Sequence, residues 1–296
     1  MRILVLGGTG TIGSAVVREL LARGHVVIGL ARSDASAAKL SELGATPMSG
    51  DIAAPQAWAT RLPELDAVIH AACDFDTDMG GIDRHLLDIL LPALAERAER
   101  PRFIYTGGCW LFGATGDEVG TEETAFDPLP AFAWMVPNLR RVLAARAVDG
   151  IVIHPGMVYT ADGGVFRRFA RDAAERGALR VVGSEHVRWP LVHADDLACL
   201  YASALEWAAP RSSYIGAAID GFAVGRLARA FARRHRRPDR ELQIISADQI
   251  AAELGGWARG YALDQRLSGA RARQELGWQP RHLDPEREIA DFAATR

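Results

Sequence analysis

The chain has 296 residues, a formal net charge of -3 and 49% hydrophobic residues, enough for one large or two closely joined domains with a buried core. That charge leaves no basic footprint for nucleic acid, and the first apolar run stops at glycines after a few residues, so neither signal peptide nor membrane span is expected. Three scattered cysteines, Cys73, Cys109 and Cys199, fit neither a disulfide scaffold nor a zinc site and suit a reducing cytoplasm; Lys39 is the one lysine, and such an arginine-rich composition suits a GC-rich bacterial genome.

Residues 3 to 6 are apolar without polar alternation, the pattern of a parallel strand covered on both faces. Gly7, Gly10 and Gly13 follow at every third residue. Ile12, Val16, Val17, Leu20 and Leu21 then repeat at helical spacing until Gly24. Strand, glycine turn and helix together predict a dinucleotide site: glycines let the backbone approach a pyrophosphate, and Thr11 and Ile12 open a helix whose free N–H groups point at it. A second strand is predicted over residues 25 to 30. At its end Arg32 and Ser33 offer a cation and a hydroxyl for the 2′-phosphate of NADP, with NAD still open and Asp34 as a candidate helix cap.

Strands over residues 67 to 70, 102 to 106 and 151 to 154, and a helix over 82 to 98, continue the alternation. The expected fold class is α/β, a Rossmann-type doubly wound parallel sheet over residues 1–160. A smaller, mainly substrate-binding region follows over 161–296, with later segments rejoining the sheet. Its expected helices cover residues 165 to 177, 197 to 207, 223 to 234 and 247 to 254. The run Arg233-Arg234-His235-Arg236-Arg237 before Pro238 reads as a solvated helix end. His193, Asp195 and Asp196 have poor metal-ligand spacing, and the two acids suit helix capping, so no metal is expected.

Several segments in order carry a resemblance: Gly7-Gly8-Thr9-Gly10-Thr11-Ile12-Gly13, Gly50-Asp51-Ile52, Val68-Ile69-His70-Ala71-Ala72, Phe103-Ile104-Tyr105-Thr106, His154-Pro155-Gly156-Met157-Val158-Tyr159, the run from Trp189 to Ala198, and Glu275-Leu276-Gly277-Trp278. Through them the chain resembles, nearly end to end, the extended and atypical short-chain dehydrogenase/reductases, the NAD-dependent epimerase/dehydratase group. The resemblance implies that Asp51 with Ile52 faces the adenine, Ala71 and Ala72 pack on its ribose, and Pro155 and Gly156 flank the nicotinamide, with Thr106 beside them. A homodimer is compatible with it.

The family's redox members use Tyr-x-x-x-Lys, in which the lysine lowers the pKa of a phenol that shuttles the proton. No tyrosine here has a lysine four residues on. By alignment Trp134 replaces the tyrosine, Asn138 the lysine, and Gly108 the assisting hydroxyl residue. Pro137 predicts that the next helix begins near it, leaving Trp134 in the approach loop, where an indole N–H can donate but cannot shuttle a proton. The remaining candidates at strand ends are Cys73, Asp74 and Asp76, then Cys109 and Trp110, then Tyr159; each also reads as packing or a turn. Trp110, Phe112, Trp134, Tyr159, Trp189 and Cys73 outline a pocket for an apolar or aromatic small molecule. The leading expectation is an NADPH-dependent reductase or isomerase with an unusual proton donor. It competes with a dinucleotide-sensing protein and with a non-redox lyase, cyclase or dehydratase in the same cleft.

Overall fold

The computed structural model describes residues 1–75, 77–97, 99–161, 163–176, 178–234 and 242–291. Asp76, Gly177 and residues 235 to 238 of the basic run lie outside the described residues.

Seven parallel strands form the central sheet: β1 (Arg2–Leu6), β2 (Val26–Ala31), β3 (Thr46–Ser49), β4 (Ala67–His70), β5 (Arg102–Thr106), β6 (Asp149–Pro155) and β11 (Ser212–Gly216), in the order β11-β6-β5-β4-β1-β2-β3. Successive side chains of a strand point to opposite faces, so a strand buried twice must be apolar at every position. On β1, Leu4 and Leu6 join one core with Val68, Phe103 and Val152, while Ile3 and Val5 join the other with Ile69, Ile104 and Ile151. Helix α3 (Met79–Ala95) closes the first face through Leu86, Leu87, Leu90 and Leu94, with Leu139 and Val142 of α4 (Met135–Ala144) beside it. Helix α1 (Thr11–Ala22) closes the second through Val16, Val17 and Leu20. Gly24 ends α1 with φ +79°, as Leu20 and Leu21 carbonyls accept from the N–H groups of His25 and Gly24.

Helix α2 (Asp34–Glu42) is capped by Ser33, whose hydroxyl accepts from the N–H of Ser36; Asp34 is the first helical residue, not the cap. The helix α3 begins three residues before the expected one because Asp78 caps it, accepting from Gly81 N–H at 3.0 Å. Helix α4 begins at Met135, two residues before Pro137. A proline in the first turn removes an N–H that has no helical partner, so it costs nothing there.

After β6 the chain leaves the central sheet. β7 (Met157–Thr160) and β8 (Gly163–Gly164) pair with β10 (Arg188–His193) and β12 (Ile219–Ala223) in a second sheet of order β12-β10-β7-β8. β9 (Arg180–Val182) and β13 (Gln243–Ile245) form a short parallel pair. The expected helix over 165 to 177 is α5 (Phe166–Arg171) followed by a wider turn over Asp172–Arg176. The helix α6 (Ala194–Trp207) is capped by His193, whose Nδ1 accepts from Asp195 N–H at 3.2 Å, while the Asp196 carboxylate accepts from Arg281 and His282 N–H at 2.9 and 2.8 Å. Among the described residues no cluster able to hold a metal ion occurs. No described helix is long and apolar enough to cross a membrane.

His154 on β6 is fully buried between the rings of Phe112 and Phe126, 5.1 and 5.7 Å away by centroid. Burial pushes its imidazole down from 6.5 to about 4. Between those values the unfolded chain takes a proton that the folded chain refuses. Stability is therefore complete above pH 6.5 and is expected to fall by roughly 3 kcal/mol as the pH drops towards 4. Urea unfolding across that range should show the slope in the wild type and a shallower one in His154→Leu.

Candidate active site

The cleft lies over the carboxyl ends of β1 and β4, where the strand order reverses and open α/β sheets bind their ligands. The glycine turn forms its floor. Gly7 has φ +83°, and a Cβ there would stand 2.7 Å from the Ala71 carbonyl oxygen and the Ala72 backbone. Only glycine meets both demands. Gly13 packs against the turn itself, so the helix starts in contact with it. Gly10 is the N-cap of α1, and no side chain caps that helix. Its first N–H groups and positive dipole end are thus offered to the cleft, which Gly10, Thr11 and Ile12 line.

The cleft has two continuous halves, since Gly10, Ala71, Ala72, Cys73 and Phe75 line both. The polar half is bounded by Gly7, Leu30, Arg32, Ser33, Ser36, Lys39, Asp51 and Ile52. Arg32 is 68% exposed and pairs with Asp74 at 3.1 Å. An exposed pair of that kind is worth about 0–1 kcal/mol and is easily exchanged for a better anion. The only lysine of the chain, Lys39, stands here too and donates to the Thr9 carbonyl at 2.7 Å. Sequence reading missed it, although its position two turns into α2 from Ser33 was a usable signal.

The other half is a cavity of about 360 Å³, lined at one end by Thr106, Pro155, Gly156 and Met157 and elsewhere by Phe75, Trp110, Phe132 and Trp134. The aromatics support one another: Trp110 lies 5.5 Å from Phe132 and 6.2 Å from Trp257, and Phe75 lies 5.1 Å from Trp257, by ring centroids. Phe75 and Phe132 were not anticipated. The Thr106 hydroxyl is hydrogen-bonded to that of Tyr201 at 2.6 Å.

Several anticipated residues stand elsewhere. Tyr159 is on β7, which has turned into the second sheet; it donates to the His282 carbonyl at 2.9 Å, stacks on Phe166 and does not line the cavity. Burial raises its phenol further from any neutral-pH role. Trp189 is core, 1% exposed, with its indole N–H on the Tyr261 carbonyl at 3.1 Å, and Phe112 is likewise buried. Asp74 belongs to the polar half beside Arg32, so it is not placed to serve the apolar end. Trp134 does line the cavity, but its N–H is spent on the Ala131 carbonyl at 2.9 Å.

Asn138 does not line the cavity. Its amide donates at 2.6 Å to Oδ2 of Asp83, the centre of a buried network. The Tyr105 hydroxyl donates to the same oxygen at 2.7 Å, and His70 Nε2 lies 2.7 Å from Oδ1. Asp83, His70 and Tyr105 all line the cavity. Burial alone would push the Asp83 carboxyl up; the bonds from His70, Tyr105 and Asn138 outweigh it, so the pKa is lowered and the group is a carboxylate. Tyr105 is held well above 10 by burial and by that charge. Cys73, exposed at the cavity edge yet surrounded by protein, is pushed up to about 12 by desolvation and by Asp83 and Asp74; burial pushes Cys109 to about 12. At neutral pH these thiols and the phenol stay protonated, leaving Asp83 as a fixed anion on an apolar cavity. A Cβ at Gly108 would meet nothing within 4 Å, so the missing hydroxyl residue is not excluded by space.

Comparison with known proteins agrees with this architecture. The model of the NAD dependent epimerase/dehydratase family matches residues 3–216. The uncharacterized protein C2A9.02 of Schizosaccharomyces pombe is 30% identical over 301 residues, 99% of each chain. The 2-alkyl-3-oxoalkanoate reductase of Stenotrophomonas maltophilia is 28% identical, over 74% of this chain and 69% of its own. In structure, human epimerase family protein SDR39U1, solved with NADPH, superposes with TM-score 0.80 over 99% of both chains at 22% identity.

Proposed function

The chain belongs to the NAD-dependent epimerase/dehydratase family, and on that footing we propose that it is an NADPH-preferring oxidoreductase for a small apolar or aromatic molecule. The observation that carries this reading is the continuity of the glycine-turn cleft with an aromatic-walled cavity. A nicotinamide dinucleotide bound along it would supply or accept a hydride. The turn from Gly7 to Gly13 and the uncapped start of α1 fit its pyrophosphate, while Pro155, Gly156 and Thr106 border the nicotinamide end. Asp51 and Ile52 suit the adenine, and Ala71 and Ala72 the ribose beside it.

Arg32, Lys39, Ser33 and Ser36 support NADPH over NADH, because two cations and two hydroxyls around one corner match a phosphate monoester. Titration of tryptophan quenching should give tighter binding of NADPH. Arg32→Ala and Lys39→Ala should each weaken NADPH by about tenfold, the scale of one charge-assisted hydrogen bond, and change NADH far less. Equal losses for the two cofactors would sink the phosphate assignment.

No side chain of the usual proton relay remains, and burial holds the thiols and Tyr105 above their ordinary values, so none is ionised to act as a base. On this reading the proton comes from solvent or is not required. The same absence favours a second reading, a protein that senses dinucleotide without turnover. Tight NADPH binding with no oxidation across a panel of apolar carbonyl and C=N compounds would support that second reading instead.

A further inference from the structure

Asn138, which aligns with the family lysine, donates to Asp83, a carboxylate on the wall of the cavity. Among the described residues that line the apolar cavity there is no lysine or arginine. The groups that face Asp83 come from three elements: His70 from β4, Tyr105 from β5 and Asn138 from α4. A carboxylate on a wall without lysine or arginine, in a medium of low polarity beside Phe75, Trp110, Phe132 and Trp134, is suited to an organic cation.

Resting on the oxidoreductase reading above, we propose that this cavity takes an iminium, a substrate whose C=N bond already carries positive charge, on a small apolar or aromatic body. The chemistry then accounts for the missing relay. A hydride from the reduced dinucleotide adds to the C=N carbon, the π pair moves to nitrogen, and the charge is discharged in forming the neutral amine. No proton is taken from the protein. A ketone of the same shape would need one for its oxygen.

The test uses two ligands of one shape: N-methyl-3,4-dihydroisoquinolinium, whose charge is permanent, and 1-tetralone. Binding is followed by tryptophan quenching with and without NADPH, and turnover by NADPH oxidation. The cation should bind at least about tenfold more tightly than the ketone, in both conditions, and it alone should consume NADPH. Asp83→Asn should remove most of that preference by weakening the binding of the cation. Should this variant fail to fold, the wild-type comparison still decides. Equal or tighter binding of 1-tetralone overturns the inference, even with NADPH bound. Failure of NADPH and NADH to bind overturns the oxidoreductase reading instead, and the cation preference of the cofactor-free protein is then judged by itself.

Discussion

Gly13→Ala is expected to lower dinucleotide affinity by two orders of magnitude or more, for NADPH and NADH alike. The new Cβ would run into the carbonyl oxygen of Gly7, with the Gly7 carbonyl carbon at 2.7 Å and Gly8 Cα at 2.9 Å. These are backbone atoms, so no rotamer change can relieve the contact. The first turn of α1 must move away from the glycine turn, or the turn must open. Either displaces the N–H groups offered to the pyrophosphate, and such an anion site works only while they converge. Because the strain is local, the folded state should persist with some loss of stability, about 1–3 kcal/mol by analogy with overpacked cores. Quenching titrations beside a urea curve separate the two effects. Unaltered affinity in a folded Gly13→Ala protein would show that the dinucleotide lies elsewhere.

That turn was readable from sequence because its information is local: three glycines at fixed spacing, an apolar strand before and an apolar helix after. The same holds for Arg32 and Ser33, which follow a strand end directly. The loss of the tyrosine and lysine was equally plain, since Trp134 and Asn138 sit in one short segment. What replaced them was not. Asp83 meets partners 13, 22 and 55 residues away, on two strands and another helix. Helical periodicity places Asp83 on α3 but is silent on which buried donors face it.

Tyr159 and Trp189 failed for a related reason. The rule that reactive groups follow strand ends holds while the chain stays in the sheet, but between Pro155 and Met157 it passes into the second one. Gly156 marks the crossing: a Cβ there would stand 2.7 Å from the Pro190 carbonyl oxygen. A glycine in an apolar run was visible in the sequence; the direction of the bend was not.

Asp83→Ala should be the most damaging substitution outside the glycine turn. It removes the common acceptor of His70, Tyr105 and Asn138, each buried, and leaves three polar groups to find partners in a cavity lined largely by hydrocarbon. One buried donor without an acceptor costs about 1–3 kcal/mol. Water entering the space of the lost carboxylate would satisfy part of the set, so the sum should reach about 3–5 kcal/mol, the range for breaking a buried charged network. Acid should expose the same group in the wild type. The folded pKa of Asp83 lies below its ordinary 3.8, so its stabilisation is complete above that value and is lost as the pH falls through the lowered one. The mutant must lack this component, although the slope owed to His154 between pH 6.5 and 4 remains in both. Unfolding curves at pH 7, 5 and 3 therefore separate the two groups: the gap between wild type and Asp83→Ala should stay constant from 7 to 5 and narrow only at the lowest pH. A gap that closed already at pH 5 would mean that the carboxylate is held far less firmly than its three hydrogen bonds require.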